Sequence, residues 1–118
     1  MRNRSTTPES TGPTVPVCWQ RESPSPCLRV ELPNGDAHLF AFQHFLTATL
    51  TRGGDGAETI RVTFSAHELT IEGRGLRDLL LGLQDFAVKW LRPAQERYQT
   101  LKANADGIIT AIIINEAE

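Results

Sequence analysis

The sequence predicts an α+β domain: an antiparallel meander of four to five strands with one long amphipathic helix packed on one face. Residues 28–32 and the segment from Val62 to Ile71 alternate apolar and polar side chains, the period of half-buried strands. Residues 76–91 carry an apolar stripe at helical spacing. The run IITAIIINE, β-branched at most positions, closes the chain as a C-terminal strand.

Taken in order, the first 26 residues, MRNRSTTPESTGPTVPVCWQRESPSP, are rich in Ser and Thr and hold five of the seven prolines. They show no apolar period, which predicts a disordered or polyproline-like tail over 1–26 and a single domain over 27–118. A domain of that size buries roughly 60–70% of its unfolded surface. Leu28, Val30 and Leu32 alternate with Arg29 and Glu31, and Pro33-Asn34-Gly35-Asp36 supplies turn chemistry before a second strand begins at Ala37. That strand runs to Thr51, with a bend or break at Gln43-His44-Phe45. The glycine-rich loop RGGDGAE (52–58) reads as a hairpin connection, because no Lys-Ser/Thr pair follows it and no helix opens there.

The segment VTFSAHELTIEG (62–73) changes phase: apolar residues occupy even positions at Val62 and Phe64 and odd ones at Leu69 and Ile71. A turn resolves this. A tight turn at Ala66-His67, or a loop over Ser65–Glu68, places Phe64 opposite Leu69 and Val62 opposite Ile71, so both strands show one apolar face. Leu76, Leu79, Leu80, Leu83, Ala87, Trp90 and Leu91 then predict one helix that Pro93 stops. The residues from Ala94 to Lys102 read either as a second, shorter helix or as a strand.

Charge excludes one class of partner. The chain has 12 basic and 14 acidic residues; removing three arginines and two glutamates of the tail leaves nine and twelve, a net of −3. Without a basic cluster this is a poor footprint for nucleic acid. No apolar run reaches the length of a membrane span, so no membrane partner is expected and the protein reads as soluble, intracellular and cytoplasmic. Cys18 and Cys27 fit no zinc spacing and read as free thiols.

His38, His44 and His67, with Glu68, are the residues from which a catalytic or metal site would have to be built. His67 and Glu68 are adjacent in a strand and point to opposite faces, so they make no natural dyad. Nothing in the spacing makes His38 and His44 converge, and solvated turn histidines explain all three. Ser65 lacks a nucleophile elbow. No catalytic residue, metal ligand or cofactor is assigned.

The pattern from Ala57 to Leu91, with His67 near a hairpin tip and then Ile71, Gly73, Arg74 and Leu76 as I-x-G-R-x-L before a leucine-rich helix, resembles a family of small bacterial proteins of unknown function. PNGDAHLFAFQHFL upstream is similar to it as well. The resemblance supports the fold and implies no activity.

The functional expectation is a non-enzymatic protein-interaction or self-associating module. Its rival is a small-ligand-binding or hydrolytic enzyme using the histidines in a pocket under the helix. Trp19, a large apolar residue in a polar tail, is expected to dock on a partner or on a sheet edge. In the last strand Ile108, Ile112 and Ile114 lie on one face and Ile109, Ala111 and Ile113 on the other. One helix covers only one face, so the strand predicts a homodimer whose interface includes Ile109 and Ile113, with the second helix or the tail as the alternative cover.

Overall fold

The computed structural model describes residues 17–94 and 107–116. The elements are β1 (Trp19–Arg21), β2 (Cys27–Glu31), β3 (Ala37–Ala41), a 3₁₀ turn (Phe42–His44), β4 (Phe45–Arg52), β5 (Glu58–Phe64), β6 (His67–Arg74), α1 (Arg77–Gln84), β7 (Val88–Leu91) and β8 (Ile108–Glu116). They form two four-stranded sheets, not one meander. The first, in the order β1-β7-β2-β3, is mixed because β7 runs parallel to β2. The second, β4-β5-β6-β8, is antiparallel throughout. The α+β class holds, with far more sheet than helix. Among the described residues no helix is long and apolar enough to cross a membrane.

The bend expected at Gln43-His44-Phe45 is the 3₁₀ turn, and it carries the chain from one sheet to the other. The two sheets share one core: Leu28 and Val30 of the mixed sheet are fully buried with Ile60, Val62, Leu69 and Ile71 of the antiparallel one. The β5–β6 connection is a turn, one residue earlier than the expected tight turn at Ala66-His67 and shorter than the alternative loop over Ser65–Glu68. Thr63 faces Glu68, Val62 faces Leu69 and Ile60 faces Ile71. The loop is therefore Ser65-Ala66 alone, and the register lies two residues from the expected one. A shift of two preserves the face of every side chain, so the common apolar face survives.

In β8 the expected two-faced isoleucine pattern is rearranged by a bulge. Ala111 faces Glu72 while Ile109 faces Gly73, leaving Thr110 as the extra residue. Ile109 thereby joins Ile112 and Ile114 on the core side and is fully buried, whereas Ile113 is 44% exposed opposite Thr70. Ile109 is thus a core residue and not an interface candidate. The bulge requires glycine at 73, since a Cβ there would lie 2.0 Å from the Ile108 carbonyl oxygen.

The long helix predicted to Leu91 ends at Gln84. The Phe86 N–H donates to the Leu83 carbonyl (3.1 Å) and the Ala87 N–H to that of Gly82 (2.8 Å), the paired bonds of a Schellman terminus. Residues 88–91 leave as β7, whose Val-Lys-Trp-Leu sequence suits a central strand. Trp90 consequently lies outside the core cluster; its indole N–H donates to Gln20 Oε1 at 2.9 Å and Arg92 lies over its ring.

The tail boundary also moves. β1 pairs with β7, Trp19 opposite Leu91, and Cys18 is buried. Trp19 docks on its own domain: a Cβ at Gly82 would meet the indole at 3.2 Å, so this mid-helix glycine makes room for it. Residues 17–26 therefore belong to the fold, while the rest of the expected tail lies outside the described residues. Of the segment read as second helix or strand, only Ala94 is described, its N–H donating to the Ile109 carbonyl (2.8 Å); residues 95–102 lie outside the described residues.

Candidate functional site

Two of the three histidines meet at one ring. His38, on β3, stacks with Phe40 at a centroid distance of 6.2 Å, and His67, the first residue of β6, meets the same ring edge-on at 5.4 Å. His67 is half-buried there and is not a solvated hairpin tip. His44 ends the 3₁₀ turn with its side chain exposed, its carbonyl accepting the Ser65 N–H at 2.9 Å. Glu68 lies 3.7 Å from Arg61. The fold thus joins His38 and His67 through Phe40 and brings neither His44 nor Glu68 to them in any of these contacts. Among the described residues no three or more His, Cys, Asp or Glu are grouped to hold a metal ion.

A shallow hollow on the antiparallel sheet is lined by Thr49, Thr51, Thr59 and Arg61 and contains none of the histidines. Cys18 accepts the Ile109 N–H at 3.4 Å. Burial pushes its thiol above the ordinary range, against the lowering effects of that N–H and of Arg92. A buried thiol held protonated is a packing group, not a nucleophile.

Phe40 is one end of a larger assembly. It stacks on Phe64 at 5.1 Å; Phe64 meets Phe45 at 6.0 Å; Phe45 meets Phe86 at 5.7 Å; Phe86 stacks on Phe42 at 5.3 Å. All five phenylalanines of the chain are thereby linked, across both sheets and to the end of α1. Phe40, Phe42 and Phe64 are buried, but Phe86 is 43% exposed. Leu46, which follows Phe45 at a bulge in β4, and Leu81 of α1 are exposed as well.

Phe86 occupies the left-handed region at φ 52°, the only residue besides glycines to do so among the described residues. Glycine or asparagine ordinarily fills this position of a Schellman terminus. A bulky side chain there costs about 1–2 kcal/mol, and ring stacking returns about 0.5–1.5 kcal/mol. Phe86 makes two such ring contacts and buries more than half of its surface besides, which together offset that cost. Sequence reading missed this residue because it lay inside the predicted helix, where nothing distinguishes Asp85-Phe86-Ala87 as a terminus.

Comparison with protein-family models, curated proteins and solved structures gives no match for the chain.

Proposed function

We propose that the chain is a non-enzymatic protein-interaction module of the bacterial cytoplasm, and that its binding surface centres on Phe86. The observation that carries this reading is the strained, exposed ring at 86. A bulky residue in the left-handed region, where glycine or asparagine is usual, with part of its ring left in solvent, is a local outlier from which a functional reading starts. A rigid aromatic already held by two neighbouring rings is also the kind of anchor that interfaces favour, since little side-chain freedom is lost on binding. The reading of the histidines as an enzyme's site has less support, because His38 and His67 meet a phenylalanine ring and Glu68 forms an ion pair with Arg61.

A photo-crosslinking amino acid at position 86, expressed in the native host, tests the proposal. It should capture a discrete partner that the same group at Glu72, on the antiparallel sheet's outer face, does not. Excess wild-type protein should compete the adduct away and Phe86→Asp protein should not. Equal labelling from both positions would remove the case for Phe86.

A further inference from the structure

We infer that the outer edge of β4 takes the β4 of a second copy of this chain, joining two antiparallel sheets into one eight-stranded sheet across a two-fold axis. The inference concerns the edge of β4 at residues 47–51, whereas Phe86 meets that strand at its first residue, Phe45.

β4 pairs with β5 on one side, and among the described residues no strand lies on its other side, although α1 packs against it. At eight residues it is long for an edge. Residues 47–51, Thr-Ala-Thr-Leu-Thr, lie beyond the bulge at Phe45–Thr47 and include no lysine, proline or inward-pointing charge, three of the features that keep edges from pairing. The core is also unfinished at this strand. Ile60 and Val62 on β5 are fully buried, whereas Ala48 and Leu50, facing them on β4, are only partly covered.

The occupant follows from two further observations. The described chain breaks off beside β8, at the opposite edge of the sheet. Cys18, next to Val17, accepts the Ile109 N–H; Ala94 donates to the Ile109 carbonyl; Gly107 donates to the Arg74 carbonyl. The segments outside the description therefore start from the far edge.

Secondly, β4 is complementary to itself. Antiparallel pairing about Thr49 sets Thr49 against its own copy, Thr47 against Thr51, and Ala48 against Leu50. Threonines then meet threonines on the outer face and apolar groups meet on the core face. The strand's one charge, Arg52, already lies 3.5 Å from Glu58 and comes opposite Leu46 of the second copy, so no like charges are opposed.

Sedimentation of the full-length chain over a wide range of concentration tests this. The wild type should reach twice the 13.1 kDa chain mass. Thr49 is exposed, so Thr49→Lys and Thr49→Glu should both fold, as circular dichroism would verify. Each variant alone opposes like charges at the axis and should sediment at 13.1 kDa. An equimolar mixture should restore the doubled mass with one chain of each kind. A wild type that stays at single-chain mass at every concentration overturns the inference. So does a Thr49→Lys protein that still dimerises, or a mixture that does not re-form the pair. Phe86→Asp should leave the doubled mass intact while losing the crosslinked partner, so the two readings can fail separately.

Discussion

The two sheets differ in how far along the chain their strands reach for partners. In the antiparallel sheet β4, β5 and β6 follow one another through loops of five and two residues. In the mixed sheet Trp19 pairs with Leu91, 72 positions away, and Arg29 with Trp90, 61 positions away. Closing a loop of about 70 residues rather than about 5 costs roughly 2.3 kcal/mol more in chain entropy. The hairpins can form on their own account, whereas the β1–β7–β2 seam must be held by what it buries. Those groups are Cys18, Leu28, Val30, Val88 and Leu91, with Trp19 partly buried beside them. The difference locates where the molecule is vulnerable: at β8 and its bulge in one sheet, and at the seam in the other.

The largest effect should come from the pair Ile109→Lys and Ile113→Lys. A lysine at the fully buried position leaves an unpaired charge in the core and should prevent folding, a loss of about 4 kcal/mol or more. The same change at Ile113, on the outer face, should move stability by less than about 0.5 kcal/mol. Equal urea midpoints would show that the bulge does not fix the phase of β8. Next comes Trp19→Ala, which should lose about 2–3 kcal/mol by opening the seam over Gly82. If its denaturation curve matched the wild type, β1 would be an ornament on the mixed sheet and the comparison would collapse to one sheet. His67→Ala removes an edge contact on Phe40 and should cost about 1 kcal/mol. Zinc released stoichiometrically by that variant would contradict the packing role.

The smallest effect is a pH dependence at the seam. Burial raises the Cys18 thiol, so the folded chain holds that proton more tightly than the unfolded one. The associated stability is complete below the unfolded thiol's pKa, about 8.5, and is lost as pH rises through the higher folded value. Urea midpoints should be unaffected by this group at neutral pH and fall on the alkaline side. Cys18→Ala should lack that alkaline limb; an unchanged limb would assign it to another group.

The same contrast explains what could be read in the chain. The hairpins at Asn34-Gly35, at 53–57 and at Ser65-Ala66 were legible because alternation and turn residues act between neighbours. The common face of β5 and β6 was legible for that reason too, although the register was set two residues off by a loop whose residues carry no strong turn preference. The β1–β7–β2 seam of the mixed sheet was not legible. Val88–Leu91 pairs with strands some sixty and seventy positions earlier, and locally its Trp90 and Leu91 continue the stripe of Leu76, Leu79 and Leu83. Trp19 was visible as an oddity, but its seat on Gly82 depends on helix and tail meeting in space. Of the candidate site, the histidines were visible by type and their shared ring was not. Phe86 became distinct only once α1 was seen to stop at Gln84.

The long reach of the seam sets an order of events during protein synthesis. β7, the partner of β1, is made about 70 residues after it, a wait on the order of several seconds at elongation rates of roughly 5–20 residues per second. Throughout that interval Cys18 and Trp19 have no strand to lie against. Meanwhile β4, β5 and β6 can already form their hairpins, but they lack β8, the last strand made. The mixed sheet waits for β7 and the antiparallel one for β8, which is made later still. The nascent protein must therefore carry a half-built core until β8 is made, and β1 waits longest for its partner strand.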